Sequence, residues 1–348
     1  MPMRRLGPKL AIHLPMSSEA PYVKLFFREA ISRALGEEME RDLNVIVLGQ
    51  DVGLFGGSYK EFVGLHERFG PERVRDTPVS ESGMIGLGVG AATAGLRPLV
   101  SITYMDFLML GFDPLINYAA KVRYKTGGQL RAPVIVKTTA GAKGQGVAHS
   151  QCIESWLMSV PGLKVVAPST PHDAYGLLKS AFREEGPVVY IDHKRLFPTA
   201  GDVPVHEASV PIGEAAVRRA GRDVSLVSHS YMTHIACEAA ELLSKEGISC
   251  EVIDLRSLAP LDVETVSASV ARTGALATLE EGQITCGVGA EVAARLHEML
   301  GPLKATRIGP LAAPVSSNPV LEAACLPDAA KVCEAIRCLV HSKERSAA

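Results

Sequence analysis

Apolar residues recur along the chain in two alternating patterns: at helical spacing in some segments and in short uninterrupted runs in others. Residues 22–40 carry apolar side chains at helical spacing, among them Val23, Phe27, Ile31 and Leu35, which predicts an amphipathic helix. Aliphatic runs typical of buried strands follow at 45–49, 97–102, 132–139, 163–168 and 187–192. Segments of helical period separate them, at 59–69, 106–121 and 171–183. Strands that alternate with helices predict a mostly parallel sheet.

The alternation breaks at residues 196–212, which are rich in proline and polar residues and predict a linker. It then resumes, with strand-like runs at 223–230, 249–255, 275–280 and 304–309 and helical segments at 231–246, 263–272, 289–300 and 327–340. The sequence therefore predicts an α/β protein of two domains, each a mostly parallel sheet with helices on both faces. The expected parts are an N-terminal arm at 1–21, a first domain at 22–195, the linker at 196–212 and a second domain at 213–348.

Composition narrows the possible partners of this chain. Its 348 residues are 47% hydrophobic and 21% charged, which allows two sizeable cores. The net charge of −2 and the lack of a basic stripe disfavour a nucleic-acid partner. No uninterrupted apolar run is long enough for a membrane span, and no secretory signal is evident. The seven cysteines are scattered without a C-x-x-C pair, so we expect reduced, buried thiols in a cytoplasmic protein.

One acidic residue, Glu81, precedes a helix made almost entirely of small and apolar residues, GMIGLGVGAATAGL. Ser80 or Ser82 is a plausible N-cap for a helix that begins near Gly83. A carboxylate there is favoured by the helix dipole, so an ordinary helix-start acid is one interpretation. The other is functional. Five glycines weaken a helix, which indicates that another backbone approaches closely, and a carboxylate desolvated there would exchange protons near neutral pH.

Several segments resemble one family and lie in its order. They are DTPVSESGMIGLGVGAATAGLRP (76–98), FDPLINYAAKVRYKTGG (112–128), GVAHSQCIESW (146–156), PGLKVVAPSTPHDAYGLLKSAFREEGPVV (161–189) and GVGAEVAARL (287–296). Together they are similar to the beta subunit of the thiamine-diphosphate-dependent decarboxylating components of 2-oxoacid dehydrogenases. That group includes the pyruvate, branched-chain and acetoin dehydrogenases. The resemblance implies a transketolase-like pyrimidine-binding domain followed by a transketolase C-terminal-like domain.

The resemblance also implies roles for individual residues. Glu81 matches the glutamate that hydrogen-bonds N1′ of the cofactor's pyrimidine, where a shared proton favours the imino tautomer of the 4′-amino group. Phe107 stands where the family stacks an aromatic ring on the pyrimidine, with Tyr104 and Met105 beside it. His149 matches the histidine near the entrance, which the family links to the substrate or the incoming lipoyl group.

Structural alternatives remain open for two of these residues. Phe107 could be a core phenylalanine at a helix start, and His149 could cap a helix that begins at Ser150. The glycine-rich loop at 140–149 does not match a phosphate-binding loop, because no K-[ST] follows its last glycine.

The chain lacks the G-D-G…N pattern through which this family holds Mg²⁺ and the diphosphate. The resemblance places that pattern in an alpha subunit and implies an α₂β₂ heterotetramer, with a second beta subunit and a lipoyl acyltransferase core as further partners. In some relatives a potassium ion is bound by backbone carbonyls, at positions that correspond to Val134, Ala181 and Glu184. The segment at 309–322 departs from the pattern of the family, at Ala312 and Ser316.

Three functional hypotheses follow. The chain is the beta subunit of an enzyme that oxidatively decarboxylates a small 2-oxoacid, or cleaves acetoin, and passes the acyl group to a lipoyl domain. Alternatively, it is half of a split transketolase-like carbon–carbon ligase, whose acceptor would be an aldose phosphate. A non-catalytic subunit that stabilises a partner is the third. The sequence leaves open which 2-oxoacid, if any, is the substrate.

Overall fold

A computed structural model describes residues 21–341, so the predicted arm at 1–21 lies almost wholly outside the described residues. The strands are β1 Tyr22–Phe26, β2 Val45–Gly49, β3 Val74–Asp76, β4 Arg97–Ile102, β5 Ile135–Ala140, β6 Lys164–Val166, β7 Val188–His193, β8 Ala200–Pro204, β9 Ala216–Arg219, β10 Val224–Ser228, β11 Cys250–Asp254, β12 Ser257–Ala259, β13 Leu276–Leu279 and β14 Ala305–Ile308. The α-helices are α1 Phe27–Arg41, α2 Leu65–Phe69, α3 Glu81–Thr93, α4 Met105–Leu108, α5 Ala120–Lys125, α6 Glu154–Met158, α7 Pro171–Ala181, α8 Met232–Ser244, α9 Val263–Thr273, α10 Val288–Leu300, α11 Pro319–Cys325 and α12 Ala329–His341.

Two mostly parallel sheets organise the described chain, which confirms the predicted fold class. The first has the strand order β12-β6-β7-β5-β4-β2-β3, and only β12 is antiparallel to its neighbour. The second has the order β14-β13-β10-β11-β9, with β9 antiparallel. Because β12 follows the first strands of the second sheet along the chain, the second half contributes an edge strand to the first sheet.

The predicted helix at 22–40 is wrong at its start. Its first five residues form β1, which pairs antiparallel with β8 inside the segment predicted as a linker. Val23 and Leu25 are half-buried while their neighbours are exposed, so this stretch has the period of a strand rather than of a helix. The helix begins at Phe27. At its start, the Glu29 carboxylate caps the helix by accepting a hydrogen bond of 2.9 Å from the amide of Phe26.

Two other predicted helices are shorter or interrupted. In the segment at 59–69 only α2 is helical. The segment at 106–121 passes from α4 through a 3₁₀ turn at Met109–Gly111 and a π-helical turn at Asp113–Ala119 before α5. A Cβ atom at Gly111 would lie 2.3 Å from Cδ1 of Ile85, so the absence of a side chain lets this irregular segment pack closely against α3. Irregular helical turns of this kind are frequent at functional sites.

Close packing also fixes α3 on the first sheet. Met84, Ile85 and Val89 are buried on one face of the helix, and Gly88 lies directly over β4. A Cβ atom at Gly88 would lie 2.4 Å from Cγ2 of Val100. On the opposite face, a Cβ atom at Gly86 would have no neighbour within 4 Å. The glycines of this helix therefore differ in role from one face to the other.

The cysteines lie both in the core and at the surface. All seven cysteines are free thiols, and the buried ones include Cys250 and Cys333. Cys286 and Cys338 are exposed, so the expectation of uniformly buried thiols is wrong for these two. Within residues 21–341, no helix has both the length and the apolar character that a membrane span requires.

Because Gly88 is closely packed and Gly86 is not, substitutions at these two glycines should have opposite effects on stability. Gly88→Ala should lower the free energy of unfolding of the purified chain by about 1–2 kcal/mol, because overpacking against Val100 outweighs the better helix propensity of alanine. Gly86→Ala is the matched control and should raise it by up to about 1 kcal/mol. Urea unfolding followed by circular dichroism measures both. Equal stabilisation by the two substitutions would contradict the packing described for Gly88.

Candidate active site

The candidate residues follow the carboxyl ends of strands in the first sheet. Glu81 comes shortly after β3, Tyr104 and Phe107 come after β4, and His149 lies in the loop after β5. These three strands run parallel, so their carboxyl ends lie along the same edge. In open α/β sheets this edge is where ligands bind.

Three of the predicted residues form one aromatic cluster. The His149 ring meets the ring of Tyr104 edge-to-face at a centroid distance of 4.6 Å and that of Phe107 at 5.3 Å. Tyr104 and Phe107 are themselves 6.0 Å apart. All three side chains are half-buried, so they form a wall that still reaches solvent. Such edge-to-face contacts fix ring orientation and leave other ring faces for a ligand.

The residues beside this wall are buried beneath it. Met105 is fully buried, and its sulfur lies 3.3 Å from the amide nitrogen of Ile153, which donates to it. Asp106 is also buried and accepts a hydrogen bond of 3.2 Å from the amide of Gln151. Its second oxygen has no partner among the described residues. Met105 is thus a supporting residue in this chain rather than an exposed member of the wall.

Glu81 stands apart from the aromatic cluster. It is the first residue of α3, and Ser80 occupies the N-cap position without a side-chain hydrogen bond, so the helix begins two residues earlier than predicted. The Glu81 side chain is half-buried and makes no hydrogen bond or ion pair with any described residue. It lies at the positive end of the helix dipole, where a carboxylate is stabilising. The carboxylate is therefore placed at the sheet edge with its acceptor capacity unused.

His149 lies at the end of a glycine-rich loop, residues 141–149, which we call the His149 loop. No helix begins at Ser150, because α6 starts only at Glu154, so the alternative of a capping histidine is wrong. Gly141 has φ +88°, and a Cβ atom there would lie 1.7 Å from Nε2 of His193. Only glycine can occupy this position, which lets the loop turn back against β7.

Charged side chains hold the His149 loop from the second half of the molecule. Glu281 accepts a hydrogen bond of 2.7 Å from the amide of Ala142, and its other oxygen lies 3.0 Å from Nε2 of His193. His193 Nδ1 accepts from the amide of Arg195 at 3.1 Å, which assigns the ring proton to Nε2. Burial would raise the pKa of the Glu281 carboxyl, but His193 and the Ala142 amide outweigh it and lower that pKa.

Arg195 and Glu322 complete these contacts. Arg195 donates to the carbonyl of Ala142 at 2.9 Å and pairs with the Glu322 carboxylate at 2.8 Å. The other oxygen of Glu322 accepts from the amide of Gly144 at 2.6 Å. Glu322 closes the divergent segment at 309–322, so that segment folds against the candidate site.

Sequence reasoning missed a second set of buried charges, behind the wall. The Lys137 ammonium lies 2.7 Å from Asp192 and 3.0 Å from Glu61, and all three side chains are buried. Burial opposes the charge on Lys137, but the two carboxylates raise its pKa. A lysine within the apolar strand at 132–139 is a sequence signal for such a cluster, because lysine is rarely buried unless it is paired.

Other buried titratable groups flank the His149 loop. Burial raises the pKa of Glu154 to about 8 and that of Glu280 to about 7. Glu280 accepts hydrogen bonds of 2.9 Å from the amides of Val288 and Gly289 at the start of α10. Burial lowers the pKa of His229 to about 4, so this histidine is neutral at neutral pH.

The three carbonyls predicted to bind potassium already accept hydrogen bonds. Val134 accepts from the amide of Val188 at 3.0 Å, and Ala181 accepts from the amide of Glu184 at 3.2 Å. The carbonyl of Glu184 accepts from the Arg97 guanidinium at 3.0 Å. Each carbonyl oxygen has a second lone pair, so potassium binding at these three oxygens stays a prediction.

Glu81 and Phe107 fit one part of a cofactor. An unpaired carboxylate at Glu81 and the half-exposed ring of Phe107 suit a nitrogen heterocycle that donates a hydrogen bond and stacks. Within residues 21–341, no group of three or more His, Cys, Asp or Glu side chains could hold a metal ion. The described residues therefore fit the pyrimidine end of thiamine diphosphate.

Comparison with known proteins identifies the family of both halves of the chain. Residues 24–199 match the family described as the transketolase pyrimidine binding domain, and residues 213–332 match the transketolase C-terminal domain. A solved structure described as a split gene transketolase, an inactive beta4 tetramer, aligns with a TM-score of 0.74 and 26% identity. That alignment covers 90% of this chain and 98% of the other.

Three relatives match over most of their length. The pyruvate dehydrogenase E1 component subunit beta of Porphyra purpurea is 40% identical, over 92% of this chain and 98% of its own. The acetoin:2,6-dichlorophenolindophenol oxidoreductase subunit beta of Cupriavidus necator is 40% identical, over 90% and 97%. The 2-oxoisovalerate dehydrogenase subunit beta of Bacillus subtilis is 43% identical, over 78% and 83%. The chain belongs to the transketolase-like family of thiamine-diphosphate enzymes that contains the beta subunits of the pyruvate, 2-oxoisovalerate and acetoin dehydrogenases.

Proposed function

We propose that this chain is the beta subunit of a thiamine-diphosphate enzyme that decarboxylates a small 2-oxoacid, or cleaves acetoin, and transfers the acyl group to a lipoyl domain. The observation that carries the proposal is the placement of Glu81, Phe107 and His149 along one sheet edge. Relatives named as dehydrogenase beta subunits are 40–46% identical to the chain, whereas the split transketolase is 26% identical. This difference favours a dehydrogenase over a carbon–carbon ligase.

Each residue has a distinct task in the proposed reaction. When bound, thiamine diphosphate supplies the electron sink for cleavage of the bond next to the substrate carbonyl. Glu81 accepts or shares a proton at N1′ of the pyrimidine, and Phe107 orients the ring by stacking. The half-buried His149 imidazole gives or takes a proton where substrate and acceptor enter.

An alpha subunit would complete the site across the exposed face of α3. Gly86, Leu87 and Gly90 lie on this face, and Leu87 is 53% exposed. A Cβ atom at Gly90 would have no neighbour within 4 Å, so a partner backbone can approach closely. Because this chain has no G-D-G…N pattern, we assign Mg²⁺ and the diphosphate to that partner. An α₂β₂ heterotetramer docked on a lipoyl acyltransferase core is the assembly we propose, in the cytoplasm.

Substitution of Glu81 tests the core of this proposal. Glu81→Gln, co-expressed with the alpha partner, should lower kcat by about 10²–10⁴-fold, because an amide cannot take up the proton. The tetramer should survive, since the Glu81 side chain has no partner among the described residues. Steady-state decarboxylation and size-exclusion chromatography measure the two properties. The control is Glu298→Gln, an exposed glutamate of α10. Turnover of Glu81→Gln at the wild-type rate would remove Glu81 from the mechanism.

The exposed glycine face of α3 predicts an effect on assembly. Gly90→Leu should leave the isolated chain folded but prevent the heterotetramer, because its side chain would fill the space that a partner needs. Gly90→Ala at the same position is the matched control and should still assemble. Analytical ultracentrifugation of each variant with the alpha subunit distinguishes them. Normal assembly of Gly90→Leu would place the partner on another surface.

His149 should act mainly on acyl transfer. His149→Ala in the assembled enzyme should slow reductive acylation of a lipoyl domain by about 10²-fold, and decarboxylation with 2,6-dichlorophenolindophenol as acceptor by less. Rapid-quench and dye-reduction assays measure the two rates. Equal slowing would make His149 a general structural residue. Transfer to an aldose phosphate by the wild-type enzyme, with no lipoyl acylation, would support the split transketolase instead.

A further inference from the structure

Lys194 is a buried lysine on which the carboxylates of Asp106, Glu281 and Glu322 act only from beyond ion-pairing distance. It is fully buried, as are Lys137 and Lys179, but those two lysines each lie 2.7 Å from a carboxylate oxygen. The Lys194 ammonium makes no ion pair with any described carboxylate; its hydrogen bonds go to backbone carbonyls. Lysine is almost never fully buried unless it is paired, so burial of Lys194 indicates that the surrounding backbone needs its ammonium group.

The partners of Lys194 are the two ends of the His149 loop. Its ammonium donates to the carbonyl of Gly141 at 2.8 Å and to the carbonyl of His149. On a third side it lies 5.0 Å from the ring centroid of Tyr104, within the range of a cation–π contact. An ammonium has three donor hydrogens, so these contacts join the first and last loop residues to the aromatic wall through one atom.

The middle of the loop is held independently of Lys194. Glu281 binds the amide of Ala142, and Glu322 binds the amide of Gly144. Neither contact reaches residues 147–149, which form the end of the loop. Among the charged side chains bound to this loop, Lys194 is therefore the one that fixes the backbone of His149 itself.

We propose that Lys194 is a positioning residue that closes the His149 loop and orients the imidazole on the Tyr104–Phe107 wall. The closure is a property of the folded chain. Its consequence for acyl transfer rests on the function proposed above. Without Lys194, the carbonyls of Gly141 and His149 lose their donor, and the His149 ring leaves its edge-to-face contacts.

Hydrogen exchange of the purified full chain tests the closure directly. In Lys194→Met, amides of the peptide 141–149 should exchange about tenfold faster, because charge-assisted hydrogen bonds that hold the loop are lost. Peptides from β5 and β7 should be unchanged. Lys143→Met is the matched control, since Lys143 is exposed in the same loop and its side chain makes no hydrogen bond or ion pair with any described residue. Unchanged exchange of the loop in Lys194→Met, or faster exchange throughout the domain, would overturn the proposal.

A double-mutant cycle in the assembled enzyme tests the consequence. Lys194→Met should slow reductive acylation of a lipoyl domain by about tenfold and dye-coupled decarboxylation by less than about twofold. In the His149→Ala background it should add less than about a twofold loss, because both substitutions act through the same imidazole. Full additivity would overturn the positioning role. Absence of decarboxylation by the wild-type assembly would count against the proposed function, and the exchange result would still decide the closure.

Discussion

Arg218 of β9 bridges two buried carboxylates, one on helix α7 beside the first sheet and one on the second sheet, and the candidate site depends on this bridge. Its guanidinium pairs with Asp173 at the start of α7 and lies 2.7 Å from Asp254 at the end of β11. Burial would raise the pKa of Asp173, but His172 and Arg218 hold it at about 2, so the acid is ionised at neutral pH. Removing one partner of such a buried pair costs about 3–5 kcal/mol, because a charge is left uncompensated.

This bridge explains how the second half of the chain takes part in a site built on the first sheet. With the two sheets held together, β12 pairs with β6 and extends the first sheet. The same arrangement brings Glu281 and Glu322 to the amides of the His149 loop. A loop with three glycines of positive φ has little preference of its own, so these distant acids supply the order that its sequence lacks.

The sequence predicted the fold class well because buried parallel strands are continuous apolar runs. The prediction from sequence failed where helical and strand periodicities overlap, and where a strand pairs with another that is distant along the chain. Residues 22–26 alternate like a strand, but the helical period of the next residues conceals it, and the pairing partner lies about 180 residues away in β8. The π-helical turn at Asp113–Ala119 comes directly after the close approach of Gly111 to Ile85, which no local pattern encodes. The local hydrophobic periodicity predicts which helices and strands form, whereas tertiary contacts determine where each of them begins and ends.

Glu81 and Lys194 differ in the same way: local sequence draws attention to Glu81, whereas only tertiary contacts reveal Lys194. Glu81 could be singled out by its carboxylate and by the small residues that follow, and the family resemblance then implied its role. The partners of Lys194 are backbone carbonyls, which every residue has, so its sequence context predicts nothing. The two side chains also differ physically. The chain satisfies the Lys194 ammonium internally and leaves the Glu81 carboxylate without a partner in its described part. In the proposed function, the unpaired Glu81 carboxylate is free to hydrogen-bond the pyrimidine of the cofactor.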